Sequence, residues 1–128
     1  MPGCRRRSTG IVCVSTEREA LRLQDIVENI DWIALHITGF DAAEFEADRK
    51  TVDAVERCLQ RITEAVIKIG PARMEQISPR TPVDAVRGLG NVLRHDYDRV
   101  DLGIIWQTIT VSLPDLRADC LKVLDRLR

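Results

Sequence analysis

Reactive chemistry has few places to sit in this chain. The stretch Gly88-Leu89-Gly90-Asn91-Val92-Leu93-Arg94-His95-Asp96-Tyr97 holds its only tyrosine and one of its two histidines, set among arginines. An imidazole moves protons near neutral pH. A guanidinium grips an oxyanion through a planar fork of donors. Placed on a helix at about 100° per residue, Val86, Leu89 and Leu93 share one face and turn towards a core. Arg87, Asn91, Arg94 and His95 share another, over about 100° of arc, and Tyr97 adds a phenol just past the end. That set suits holding a phosphodiester and shuttling a proton. Solvated surface is the commoner fate of such a stripe, and 94–99 also reads as a charge-paired helix end. Gly88 and Gly90 each cost a helix about 1 kcal/mol relative to alanine. A close helix approach, a ligand near the backbone or a dimer contact would explain that cost.

The elements that position this stretch read as helices. Thr16 and Glu19 have capping-box spacing, and Leu23, Ile26, Val27, Ile30, Ile33, Ala34 and Ile37 then recur on one face until Gly39 ends the helix. Asp41 to Phe45 reads as a short capped turn, with Phe40 and Phe45 plugging the end of a bundle. Val52, Val55, Leu59, Ile62, Val66 and Ile69 step by three and four, a seam for nearly antiparallel packing. Gly70 and Pro71 close it. Residues 71–81, with Pro71 and Pro79, read as a loop, and Pro82 suits the first turn of the helix that ends near His95. Asp98 or Asp101 caps a last helix, which Pro114 should kink or split. His36 reads as a partly buried structural histidine, and Trp32 and Trp106 as core or interface residues. The expected fold is all-α, an up-down bundle of four to five helices.

Composition narrows the function classes. A length of 128 residues implies a single domain, with 45% hydrophobic and 30% charged residues excluding a disordered chain. Aromatics at 4% favour helices over a β-sandwich. The net charge of −1 draws in no polyanion by itself, so any nucleic-acid contact needs a local arginine cluster. No apolar run reaches the roughly 20 residues that span a bilayer. Cys4, Cys13, Cys58 and Cys120 are scattered, with no CxxC pair and no histidine at zinc spacing, so neither a disulfide framework nor a metal site is expected. Cys58 and Cys120 read as small buried hydrophobes, and a reduced, cytoplasmic setting fits best. No glycine-rich phosphate loop points to a nucleotide, and no cofactor is expected. Residues 1–14 lack helical periodicity and read as a disordered leader before a domain at 15–128. Translation is expected to start near Val12 or Val14; a natively produced species containing Met1 would refute that.

From about Glu19 onward the chain resembles the HepT-like toxins of the HEPN superfamily. The resemblance is carried by 23–26, Gly39-Phe40 with Phe45, 51–55 and 62–65. It continues through Gly88-Leu89, Asn91-Val92-Leu93 and His95-Asp96-Tyr97-Asp98, then Val100-Asp101, 106–109 and Leu113-Pro114. It implies a HEPN-like helical bundle and a metal-independent endoribonuclease, the toxin of a toxin–antitoxin pair, working at a homodimer cleft on tRNA or mRNA. The family motif is an arginine, a polar residue, three further residues and a histidine, followed two places on by tyrosine. It implies His95 as the proton-handling residue, Asn91 as the polar residue and Tyr97 as the target of adenylylation by a minimal nucleotidyltransferase antitoxin. The chain departs at the motif arginine, which falls on Gly90. Arg87, one turn before, and Arg94, one turn after, are the two residues that could hold phosphate instead. The alternative is a catalytically weakened HEPN-fold protein that binds a nucleotidyltransferase partner.

Overall fold

Steps of three and four between apolar side chains lay a single stripe along each long helix, and burying those stripes against one another builds the protein. The computed structural model describes residues 9–95 and 100–127, with side-chain surroundings from 16 onward. Its helices are α1 (Thr9–His36), α2 (Ala42–Ala47), α3 (Arg49–Ile69), α4 (Pro71–Ile77), α5 (Val83–His95), α6 (Leu102–Gln107) and α7 (Leu113–Leu127). A π-turn, Thr108–Ser112, joins α6 to α7 without a break. No strand occurs among the described residues. The all-α reading holds: four long passes, α1, α3, α5 and α6–α7, plus two short helices.

Long-range pairs give the directions. Glu19 near the start of α1 meets Arg73 just after α3, and Asp31 further along α1 meets Arg117 of α7. Phe45 of α2 packs on Trp106 of α6, while Asp119 of α7 reaches Ser78 at the end of α4. Gln60 and Thr63 of α3 face Leu93 and Gly90 of α5, in reverse order. Successive long passes therefore run up and down. The core between them contains Leu23, Ile26, Ile33, Phe45, Leu59, Met74, Leu93 and Ile105, each at most 1% exposed.

Local chemistry sets the breaks. Gly39 and Gly70 take positive φ, 81° and 93°, where a Cβ would be strained. Asp41 makes a reciprocal capping box with Glu44, and Asp48 caps α3 through the Thr51 N–H. Of the two expected caps for the last helix, Asp101 accepts from the Gly103 and Ile104 N–H groups; Asp98 lies outside the described residues. Pro114 has no N–H to give the Thr110 carbonyl, and the chain slips to five-residue hydrogen bonds there. Leu113 N–H donates to the Thr108 carbonyl, the signature of that slip.

Three local readings are corrected. The first helix begins at Thr9, upstream of Thr16, so Thr16 and Glu19 form no N-terminal capping box. Glu19 instead accepts a bidentate pair from Arg73, at 2.6 and 2.9 Å. Residues 71–77 are helical rather than loop: Pro71 starts α4 at its first position, and Met74 and Ile77 are buried one turn apart. Of the core and interface places read for Trp32, the core one does not hold: Trp32 is 53% exposed and stacked on the half-buried His36 at 6.2 Å. Trp106 is half-buried against Phe45, with ring centroids 5.3 Å apart.

Candidate active site

The site candidates ride on α5, so what fixes α5 fixes them. Leu93 is buried, while Val86 and Leu89 are half-buried. Gly90 lies against α3, where a Cβ would sit 3.0 Å from Thr63 Oγ1 and 3.3 Å from Thr63 Cβ. Glycine is therefore what lets α5 approach α3 so closely. Gly88, by contrast, has nothing within 4 Å of its Cβ position; close approach explains one of the two glycines only. One turn beyond Gly90, the Gln60 amide donates to the Leu93 carbonyl at 3.1 Å. That carbonyl belongs to the last described turn of α5. The C-terminal end of α5 is thus pinned to α3 at two places.

On the outward face, Arg87, Asn91 and His95 are exposed and Arg94 is half-buried. The stripe divides in two. Arg87 leans away from the end of the helix, with its guanidinium 3.3 Å from the fully exposed Asp84 carboxylate, a solvent-screened pair of small energy. Arg94 folds back one turn: its Nη2 donates to Asn91 Oδ1 at 3.0 Å. Its Nη1 lies 3.4 Å from where a Cβ of residue 90 would be. The Arg94 guanidinium thus reaches over the position at which this chain lacks a side chain, oriented by Asn91 and next in sequence to His95. It meets no carboxylate among the described residues, so its remaining donors can take an oxyanion. Cations in the last turn also suit the helix dipole. Tyr97 lies outside the described residues.

Position 90 thus lies between the two faces of α5, covered by Thr63 on one side and by the Arg94 guanidinium on the other. Gln60 and Thr63 hold the site and were not evident from the sequence. Thr63, an unusual polar residue inside an apolar stripe, was the one available signal. Glu56, a turn before Gln60, lines the hollow beside Val100 and Leu102 just past the α5 end. Burial raises its carboxyl above the ordinary range and neighbouring Asp53 adds to that, against Arg49.

The other flank of α5 forms an apolar groove with the α6–α7 pass. It encloses about 350 Å³ and includes Val86, Leu89, Ile104 and Val111 in its lining. At its far end the buried Asp119 binds Arg80 in a bidentate pair and accepts from Ser78 at 2.6 Å. No group of side chains that could hold a metal ion occurs among the described residues. Cys58 and Cys120 are buried free thiols; burial pushes both up, Cys120 to about 12. No described helix is long and apolar enough to cross a membrane.

Residues 26–123 match the family described as Ribonuclease HepT-like. A Thermococcus cleftensis protein named "Probable ribonuclease HepT" is 32% identical over 95 residues, covering 74% of this chain and 86% of the relative. Two Methanocaldococcus jannaschii proteins, "Putative RNase MJ1216" and "Putative RNase MJ0125", are each 31% identical. They cover 80% and 82% of this chain, and 84% and 90% of their own lengths. No solved structure matches significantly. The chain belongs to the ribonuclease HepT-like family.

Proposed function

We propose that this protein is a metal-independent endoribonuclease, the toxin of a toxin–antitoxin pair, acting on tRNA or mRNA as a homodimer in the cytoplasm. The observation that carries the reading is the Arg94–Asn91 unit folded over Gly90 beside His95. In this reading the Arg94 fork holds the non-bridging phosphate oxygens, and Asn91 keeps the fork aimed. Arg87, turned towards Asp84, contributes less. His95 takes the proton of the ribose 2′-hydroxyl as its oxygen attacks the adjacent phosphorus. The P–O5′ bond breaks, and a proton goes to the departing 5′-oxygen, leaving a 2′,3′-cyclic phosphate and a 5′-hydroxyl end. Tyr97, two residues past His95, is where a nucleotidyltransferase antitoxin would add AMP and close the site.

The test is cleavage of bulk tRNA and mRNA by protein shown by mass to be unmodified at Tyr97, in EDTA, beside a His95→Ala control. RNA is cut, DNA is not, because the 2′-hydroxyl is required, and the alanine variant is inactive. Intact RNA at high enzyme excess would refute the reading. It would instead favour the competing one, a HEPN-fold partner of a nucleotidyltransferase, whose support is that position 90 carries no guanidinium. That competing reading predicts a stable complex with the nucleotidyltransferase and no RNA cleavage.

A further inference from the structure

The furrow between α1 and α3, on the outer side of the bundle, gathers cations most of which enter no ion pair among the described residues. At about 100° per residue, α3 turns Arg57, Arg61 and Lys68 to one side within about 40° of arc. From α1, Arg18 and Arg22 face the same furrow. Two adjoining hollows share Arg22 and Lys68, so the furrow is continuous. Among the described residues Arg18, Arg22, Arg61 and Lys68 enter no ion pair, and Arg57 bonds only to the neutral Gln60. Arg73 is matched by Glu19. Besides Glu19, the carboxylates lining the two hollows are Asp25 and Glu64, against the four cations Arg18, Arg22, Arg61 and Lys68; Arg57 lies beyond the hollows on the same face of α3. In a chain of net charge −1 this is a marked segregation of charge. A local cluster of this kind is what a polyanion needs when whole-protein charge does not attract it.

The furrow also leads to the candidate site. Arg57 Nη1 donates to Gln60 Oε1 at 3.1 Å, and the Gln60 amide donates to the Leu93 carbonyl at 3.1 Å. The cationic face of α3 therefore adjoins the last turn of α5, which carries Arg94 and His95. From Arg57 to Lys68 the helix advances about 16 Å, room for several successive phosphates of one strand. No aromatic side chain lines the hollows, so bases would find no stacking platform and contact would be with the backbone alone.

We propose that the α1–α3 furrow is a track for the phosphate backbone of single-stranded RNA, holding the strand to one side of the bond cleaved on α5. The proposal rests on the ribonuclease reading. Its test compares two double variants of equal charge change. Arg22→Glu with Arg61→Glu alters the furrow; Lys122→Glu with Arg126→Glu alters α7, which lines neither hollow. Binding of a long single-stranded RNA is followed by fluorescence anisotropy across a salt series, with thermal melting to confirm that both variants fold.

The furrow variant is expected to lose about tenfold or more in affinity. Its salt slope should flatten by about 1.4, given about 0.7 for each phosphate of a single strand that the protein no longer neutralises. The α7 variant is expected to keep both. Equal affinity and slope in the two variants, with wild-type protein still cleaving RNA through His95, would overturn the track and leave the ribonuclease reading standing. Wild-type protein that neither binds nor cleaves RNA would overturn both. Wild-type protein that cleaves RNA while its furrow cations bind anionic lipid vesicles and contribute nothing to RNA affinity would also overturn the track.

Discussion

Gly88 and Gly90 sit two residues apart on one helix, yet the same substitution should have opposite effects at the two. In an open helix interior, glycine to alanine stabilises by about 1 kcal/mol. Gly88 meets that condition, being exposed with nothing within 4 Å of its Cβ position. At Gly90 the new methyl would lie 3.0 Å from Thr63 Oγ1 and 3.3 Å from Thr63 Cβ. Thr63 has little freedom to retreat. It is 2% exposed, β-branched on a helix, and its hydroxyl donates to the Gln60 carbonyl at 2.9 Å. Overpacking of this kind costs about 1–3 kcal/mol. Set against the helix-propensity gain, Gly90→Ala should destabilise by about 1 kcal/mol. The two variants should then differ by about 2 kcal/mol, or several degrees in Tm with opposite signs. Urea and thermal unfolding of both, with Thr63→Ala and the Gly90→Ala/Thr63→Ala double variant, measure it; the cycle should show a coupling of about 1 kcal/mol. A Gly90→Ala variant as stabilised as Gly88→Ala, with no coupling to Thr63, would refute the close-approach account. The same crowding bears on function, because the Arg94 guanidinium lies 3.4 Å from the new methyl. Gly90→Arg is therefore expected to displace Arg94 and lift α5, and not to raise cleavage above the wild-type rate.

Three further outcomes follow from particular contacts. Burial pushes the Asp119 carboxyl up, but the hydrogen bonds from Arg80 and Ser78 outweigh it and hold the group below its ordinary value. Its contribution is thus present above the unfolded carboxylate pKa of about 3.9 and lost as pH falls through the folded one. Asp119→Asn should flatten the loss of Tm between about pH 5 and pH 3; an unchanged acid profile would count against the network. The Cys120 thiol, pushed up to about 12 by burial, should resist alkylation at neutral pH and react only on unfolding; peptide mapping after a labelling pulse reads this, and rapid native labelling would contradict it. Tyr97→Phe should keep cleaving RNA while accepting no AMP from a nucleotidyltransferase; AMP found on another residue of that variant would refute Tyr97 as the acceptor.

Legibility in the sequence tracked the range of the interaction involved. The α3 stripe, the Gly39 and Gly70 stops, a cap at Asp98 or Asp101 and the disruption at Pro114 all act within one or two turns. Each could be read directly. Short-range signals also misled. Pro71 and Pro79 suggested a loop, although Pro71 in fact starts α4 at the one helical position where its missing N–H costs nothing. Thr16 and Glu19 had the spacing of a cap, but Glu19 is held by Arg73, 54 residues away. The helix wheel placed the α5 stripe on the outer face but could not show that Gly90 is covered by Thr63, or that Arg94 folds over the gap. Those facts depend on how closely α3 and α5 approach. The cationic furrow was equally hidden, since it forms only when α1 and α3 lie side by side.

The most direct test of the account is the single-turnover RNA cleavage rate of three variants, each unmodified at Tyr97: Arg94→Ala, His95→Ala and Arg87→Ala. If Arg94 is the guanidinium that holds the phosphate, its loss should slow cleavage by about 100- to 1,000-fold, the scale for removing one transition-state donor. His95→Ala should abolish cleavage, and Arg87→Ala should stay within about tenfold of wild type, as expected for a screened surface pair. Full activity in Arg94→Ala or in His95→Ala would contradict the assignment of the active site to the last turn of α5.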